Sequence, residues 1–127
     1  MTERAGERIR VVLADDVAPY RLLIRLLLEN DGRFEIVGEA SDGAEAIRVC
    51  AIEQPHVVLL DLAMPKLDGL QAIPRIQAES PATRIVVLSG FARDQLERQV
   101  LSSGAYAYLE KGADISTIAS TLVTLAA

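Results

Sequence analysis

The stretch 57–61 reads VVLLD, four aliphatic residues followed by a carboxylate. A run this short and this rich in β-branched residues is typical of a strand buried on both faces of a parallel sheet. Two similar runs occur elsewhere, and two further runs are shorter or alternate with Glu35 and Glu39. The five predicted strands are Ile9–Ala14, Phe34–Ala40, Val57–Leu60, Ile85–Leu88 and Tyr106–Leu109.

Amphipathic stretches of helical length separate these runs. Asp42 is a suitable N-cap for the second stretch, and Glu45 is placed to complete a capping box. Ser103 and Gly104 are typical of a helix end, and Pro74 is expected to kink or shorten the third helix. The predicted helices are Pro19–Asn30, Gly43–Glu53, Gly69–Glu79, Arg93–Ser103 and Asp114–Ala126.

Strict alternation of strand and helix predicts a parallel sheet with helices on both faces. Five such units within about 120 residues are too few for an eight-stranded barrel. The expected fold is therefore α/β: a flavodoxin-like (βα)5 doubly wound parallel sheet with strand order 2-1-3-4-5. Because the 127 residues contain no repeat and no interdomain linker, residues 1–127 are expected to form a single domain.

Composition excludes several classes of function. The formal charge is −5 and no basic cluster is present, so we expect this chain alone to bind neither nucleic acid nor an anionic membrane. Residues 1–8 lack the apolar core of a signal peptide, and Leu22–Leu28 is too short to span a bilayer. These features predict a cytoplasmic protein. The single Cys50 cannot form an internal disulfide and is expected to be a small buried residue.

Polar residues follow four of the predicted strands. Asp15 and Asp16 follow the first strand, Asp61 the third and Ser89 the fourth, while Lys111 comes two residues after the fifth. Open α/β sheets bind ligands at these carboxyl ends, where the strand order reverses between strands one and three. Three carboxylates placed together require either a proton held through a raised pKa or a cation. Mg²⁺ is the expected ion because it prefers oxygen ligands.

A lysine and a hydroxyl beside an acidic metal site are suited to phosphate. Ser89 and Lys111 are placed to hold two phosphoryl oxygens while the metal holds a third. Taken singly, each residue is more often a helix cap or a solvated charge than a ligand. Their joint placement at four strand ends favours a functional site.

Four segments carry a resemblance to a known family: VLADD at 12–16, LDLAMPKLDG at 60–69, VLSG at 87–90 and GAYAYLEK at 104–111. Over nearly its whole length the chain resembles the receiver domain of two-component response regulators. Residues 34–47, FEIVGEASDGAEAI, are similar to the NarL/LuxR-type subgroup, which usually carries a C-terminal helix-turn-helix domain. This chain is expected to contain no output domain, so transcriptional regulation is expected if it is part of a longer regulator.

The resemblance implies a role for each matching site residue. Asp61 would be the phosphoacceptor, taking a phosphoryl group from a sensor histidine kinase or a phosphotransfer protein. Asp16 and Asp61 would bind Mg²⁺ directly, together with the backbone carbonyl of Ala63, and Asp15 would act through water. Lys111 would pair with the phosphoryl group.

The resemblance also implies a switch. Ser89 would turn toward the phosphate and Tyr108 would turn inward behind it, which would change the surface of the fourth helix and fifth strand. Three positions depart from the family pattern. Gly112 stands where a cis proline is frequent, Gly90 replaces the frequent Ala, and Phe91 is expected to slow hydrolysis by obstructing water.

Two other functions remain open. A Mg²⁺-dependent phosphohydrolase would also use an aspartate nucleophile, but it usually needs a second carboxylate close after it, and Ala63 stands two residues after Asp61. A pseudo-receiver, which binds partners without phosphate, would lack one of the site residues. We therefore expect no enzyme activity apart from catalysis of the domain's own phosphorylation and dephosphorylation.

The first helix is more apolar than its core face requires. Leu22 and Leu26 are four residues apart on a second face, and Val123 lies near the outer face of the last helix. An apolar patch of this kind suggests a homodimer through helices one and five. Scattered surface leucines are an equally common explanation.

Overall fold

A computed structural model describes residues 7–64 and 66–126. Five strands and five helices alternate along the chain: β1 (Ile9–Ala14), α1 (Ala18–Asp31), β2 (Phe34–Ala40), α2 (Gly43–Glu53), β3 (Val57–Leu60), α3 (Gly69–Glu79), β4 (Arg84–Ser89), α4 (Arg93–Ser102), β5 (Ala107–Glu110) and α5 (Ile115–Ala126). Among the described residues, no helix has both the length and the apolar character needed to cross a bilayer.

The strands form one parallel sheet in the order β2-β1-β3-β4-β5, which confirms the predicted flavodoxin-like (βα)5 fold. β2 and β5 are the edge strands. The register between β1 and β2 shifts by one residue between Val11 and Val12, a β-bulge or a related irregularity. In this strand order β1 and β3 are neighbouring interior strands, so their carboxyl ends lie side by side.

The core lies in two layers, one on each face of the sheet. Val12 and Leu60 point toward α2, α3 and α4, where they meet side chains such as Ile73. Val11 and Leu59 point the other way, toward α1 and α5. Because successive side chains of a strand alternate between faces, an uninterrupted aliphatic run fills both layers. Cys50 is fully buried in the first layer, and this burial raises the pKa of its thiol to about 12.

No boundary of the ten elements differs from the predicted one by more than one residue. β4 and β5 each extend past their aliphatic runs because Ser89 and Glu110 pair in the ladder. α5 begins after Asp114, whose carboxylate accepts a hydrogen bond from the Thr117 N–H at 3.0 Å, so Asp114 lies outside the helix. α3 keeps its full predicted length through Pro74, and the expected shortening does not occur.

The N-terminal caps of α2 and α3 differ. Asp42 caps α2 as predicted, accepting from the Glu45 N–H at 2.8 Å. The predicted capping box at α2 is wrong, because the Glu45 carboxylate accepts instead from the Ser41 N–H at 2.7 Å. A complete capping box forms at α3, between Asp68 and Gln71. It fixes the start of α3, directly after the loop that follows β3.

Ion pairs join α1 to β2 near the carboxyl edge of the sheet. The Arg21 guanidinium lies 2.7 Å from one oxygen of Glu39, and Arg25 bonds to the other oxygen. Arg21 also donates to the backbone carbonyl of Asp15. Burial acts to raise the pKa of Glu39, but the two arginines outweigh it, so this pKa lies below its ordinary value.

Candidate functional site

The three predicted carboxylates come together at the carboxyl edge of the sheet. One carboxylate oxygen each of Asp15, Asp16 and Asp61 lie within 4.8 Å of one another. Asp15 and Asp61 are buried, whereas Asp16 is exposed. Backbone hydrogen bonds continue one residue beyond the strands, since the Asp61 N–H donates to the Ala14 carbonyl at 2.9 Å. The Asp15 N–H likewise donates to the Ala40 carbonyl at 3.0 Å, so the backbones of both buried aspartates are held by the sheet.

The start of α3 packs closely against the candidate acceptor. A Cβ added at Gly69 would lie 2.2 Å from the backbone oxygen of Asp61, which is far inside van der Waals contact. The Gly69 N–H donates to the Leu62 carbonyl at 3.0 Å. Only glycine allows this approach without moving the backbone. The close approach of Gly69 to the Asp61 carbonyl therefore constrains the path of the loop after β3.

Lys111 reaches the cluster from the loop after β5. Its Nζ lies 2.8 Å from a carboxylate oxygen of Asp15 and 3.5 Å from one of Asp61. Its backbone N–H donates to the Ser89 carbonyl at 2.8 Å, which ties this loop to the end of β4. Burial acts to lower the pKa of Lys111, but the hydrogen bond and charge of Asp15 and the charge of Asp61 outweigh it, so the pKa lies above its ordinary value.

The electrostatic balance of the cluster remains negative. Burial, followed by the charge of Asp15, raises the pKa of Asp61 despite the opposing effects of Lys111 and the Ala63 N–H. One ammonium cannot neutralise three carboxylates. A hard divalent cation with oxygen ligands fits this donor set. Ala63 lies beside this donor set, and its N–H donates to the Asp61 carboxylate at 3.3 Å. Binding of the metal by the Ala63 carbonyl stays a prediction.

Ser89 and Tyr108 meet at the backbone of Phe91. The buried Ser89 hydroxyl accepts from the Phe91 N–H at 3.1 Å, and the Tyr108 hydroxyl donates to the Phe91 carbonyl at 2.7 Å. Tyr108 is 2% exposed and therefore points inward, whereas the neighbouring Tyr106 is 51% exposed. The Arg93 guanidinium donates to the Tyr108 carbonyl at 3.1 Å, which joins α4 to β5. The loop after β4 thus connects the two predicted switch residues.

Sequence reasoning missed two residues of this site. The Tyr20 ring lies under the Lys111 ammonium, with 4.6 Å between Nζ and the ring centroid. Arg21 supports the backbone of Asp15. Both residues follow Asp15 and Asp16 in the first turn of α1, but spacing alone does not show toward which neighbour a side chain turns.

Comparisons with known proteins agree with this geometry. A family described as "Response regulator receiver domain" matches residues 11–123. The Bacillus subtilis transcriptional regulatory protein LiaR is 37% identical over 114 residues, which cover 90% of this chain and 54% of LiaR. The chain thus spans about half the length of the curated relatives it matches, 52% in a transcriptional regulator from Pseudomonas aeruginosa.

Solved structures of response regulators are also similar to this chain. The signal receiver domain of the response regulator NarL from Mycobacterium tuberculosis is 32% identical, with a TM-score of 0.89 over 94% of this chain and 97% of that one. A response regulator from Burkholderia pseudomallei, solved with a phosphorylated aspartic acid, a calcium ion and citrate, is 27% identical. Its TM-score is 0.82 over 93% of this chain and 68% of that one.

Proposed function

This chain belongs to the response regulator receiver domain family, and we propose that it is a phosphorylation-dependent switch of a two-component phosphorelay. The observation that carries the proposal is the placement of Asp61, buried at the end of β3 between two further carboxylates and the Lys111 ammonium. In this proposal Asp61 accepts a phosphoryl group from a sensor histidine kinase or phosphotransfer protein.

The transfer is a substitution at phosphorus. A carboxylate oxygen of Asp61 attacks the phosphorus of a phosphohistidine; the new P–O bond forms as the P–N bond breaks, and the imidazole leaves with the bonding electrons and takes up a proton. Lys111 stands beside Asp61 and stabilises the charge on the phosphoryl oxygens. The raised pKa of Asp61 reflects a carboxylate that is poorly compensated at rest.

Mg²⁺ is the proposed cofactor. Asp16, Asp61 and the carbonyl of Ala63 would hold it, with Asp15 acting through water. When bound there, Mg²⁺ would supply positive charge to the phosphoryl oxygens. The donor chemistry supports this, because all the side-chain donors are carboxylates and Asp16 is exposed to solvent. The calcium ion and phosphorylated aspartate of the related Burkholderia structure support it as well.

Ser89 and Tyr108 are proposed to transmit the change. In the structure the Ser89 hydroxyl bonds to its own loop, and turning toward a phosphoryl group on Asp61 would release the Phe91 N–H. Tyr108 holds the same residue through its carbonyl. A shift of the Phe91 backbone would therefore alter the start of α4 and the outer side of β5.

The output is proposed to be control of transcription by a longer protein. Matched relatives are transcriptional regulators, and the chain covers about half of their length. We propose that residues 1–127 supply the single receiver domain of such a regulator. The domain would act on no external substrate, because Ala63 offers no general acid where a phosphohydrolase needs one.

A homodimer through α1 and α5 is also proposed. Leu22 is 54% and Leu26 is 55% exposed, which supports an apolar patch on α1. Val123 is partly buried against the core and contributes less than its sequence position suggested. The patch therefore lies mostly on α1.

Phosphorylation by a small donor tests the central assignment. We expect wild-type protein incubated with acetyl phosphate and Mg²⁺ to gain one phosphoryl group by intact mass, and Asp61→Asn to gain none. Asp94→Asn, which makes the same change at an exposed position of α4, should behave as wild type. An equal gain in Asp61→Asn would refute the assignment.

A further inference from the structure

We propose that Tyr20 is a positioning residue, whose ring face holds the Lys111 ammonium beside Asp61. This inference rests on the proposed function of Asp61 as phosphoacceptor. Lys111 Nζ lies 4.6 Å from the centroid of the Tyr20 ring, within the range of a cation–π interaction. The ring is thus the third partner of this ammonium, in addition to Asp15 and Asp61.

A lysine needs several contacts to hold one position. Its four-carbon stem is flexible, and the ammonium is a point charge without the preferred plane of a guanidinium. The backbone of Lys111 is held by the hydrogen bond from its N–H to the Ser89 carbonyl, but this bond leaves the four side-chain torsions free. Side-chain partners must therefore fix Nζ.

The ring differs from the two carboxylates in one respect. Asp61 exchanges its ion pair for a covalent bond once it carries a phosphoryl group, and Asp15 belongs to the candidate metal cluster. The face of the Tyr20 ring takes part neither in phosphorylation nor in metal binding. It can hold the ammonium in the same place before and after transfer.

The Tyr20 hydroxyl is not needed for this role. Its oxygen is buried and has no hydrogen-bond partner among the described residues. Burial raises the pKa of this hydroxyl, so it stays neutral. A phenylalanine would keep the ring face and remove an unsatisfied polar group. The role therefore predicts that Tyr20→Phe resembles wild type, whereas an aliphatic residue of similar length does not.

The kinetic test compares Tyr20→Phe with Tyr20→Met. With acetyl phosphate and Mg²⁺, we expect Tyr20→Phe to keep the maximal phosphorylation rate within about twofold, and Tyr20→Met to lower it about fivefold. The half-saturating donor concentration should change less than the rate. In a Lys111→Met background the two Tyr20 substitutions should become equivalent, because no ammonium remains to be positioned. A fivefold effect of Tyr20→Met that persists in that background would overturn the proposal.

A spectroscopic test does not depend on phosphorylation, and its first result comes from the wild-type protein alone. The chain has only two lysines, Lys66 and Lys111, so their ε-CH₂ resonances are readily assigned in ¹³C-lysine-labelled protein. Ring currents should shift the Lys111 ε protons upfield of those of the exposed Lys66 in wild type and in Tyr20→Phe. Tyr20→Met should abolish this shift.

The two tests separate the two ideas. An upfield shift in a wild-type protein that gains no phosphoryl group would support the ring contact and refute the proposed function of Asp61. Normal phosphorylation of a wild-type protein that has no upfield shift would overturn the role of Tyr20 alone.

Discussion

The Lys111 side chain is a counter-ion within the acidic cluster. Its Nζ lies nearer to Asp15 than to Asp61, at 2.8 Å against 3.5 Å. A single charge shared between two buried carboxylates stabilises both, but it opposes a second cation at the same place. Entry of a divalent ion therefore has to displace or repel this ammonium.

Removal of Lys111 should separate metal binding from phosphoryl transfer. We expect Lys111→Met to bind Mg²⁺ about threefold to tenfold more tightly by calorimetry, because a competing cation is removed. Phosphorylation by acetyl phosphate should become slower in the same variant. Lys66→Met is the matched control, since Lys66 is exposed and pairs with Asp42, which is not one of the three clustered carboxylates. Weaker Mg²⁺ binding in Lys111→Met would contradict the counter-ion role.

Asp61 should destabilise the metal-free domain at neutral pH. Its folded-state pKa lies above the ordinary value of 3.8 because of burial and Asp15. The penalty is absent below that ordinary value and develops as the pH rises through the folded-state pKa. With chelator present, we expect Asp61→Asn to raise the free energy of unfolding at pH 7 by about 0.5–2 kcal/mol.

Denaturant unfolding at several pH values, followed by circular dichroism, checks this expectation. The gain from Asp61→Asn should disappear as the pH falls below the ordinary value of 3.8. Saturating Mg²⁺ should also reduce the gain, because it stabilises the wild-type carboxylates. A gain of the same size at every pH would show that burial of the charge is not its cause.

Individual elements show which parts of the fold were predictable from the sequence. The aliphatic runs predicted β1 and β3 with their observed bounds, because burial on both faces leaves a continuous pattern, and the alternating run at 34–40 predicted the bounds of the edge strand β2. Cap details were less predictable: the Glu45 carboxylate accepts from the Ser41 N–H and the Asp114 carboxylate from the Thr117 N–H, and the folded backbone sets these pairings. Periodicity contains no information on these pairings.

For the candidate site, the position of the residues was predictable from the sequence, but their side-chain partners were not. A parallel sheet places Asp15, Asp61 and Lys111 at one edge, and the structure brings them together. The partners of Tyr20 and the hydrogen bond of Ser89 to its own loop depend on side-chain rotamers. Rotamers follow from packing in three dimensions, which no spacing rule contains.

The ion pairs between α1 and β2 should contribute to stability in a pH-dependent way. Glu39 has a pKa below the ordinary value of 4.5, so its contribution is full above that pH and is lost as the pH falls through the lower folded-state pKa. We expect Glu39→Gln to lower the free energy of unfolding by about 1 kcal/mol at pH 7. The loss should vanish in acid.

Urea unfolding at pH 7 and in acid measures this difference. Glu35→Gln is the control, because Glu35 lies on the same strand and is exposed. The expectation fails if the two variants lose equal stability at pH 7.

At the scale of the whole molecule, the leucines of α1 predict self-association. Leu22→Asp/Leu26→Asp places two charges on the proposed interface and should leave the domain monomeric at concentrations where wild type dimerises. Ile52→Asp is a matched control on α2, because Ile52 is 70% exposed on another part of the surface. Sedimentation equilibrium gives the masses, and equal masses for wild type and the double variant would rule out this interface.

The edge strand β2 has a further consequence for how the molecule meets its neighbours. Exposed strand edges can recruit another chain by strand addition, and charged residues and irregular register oppose this. β2 carries Glu35 and Glu39, and its register with β1 shifts at Val11 and Val12. Such an edge is a poor template for a sixth strand. Association of another chain with the β2 edge would therefore have to use side chains rather than extension of the sheet.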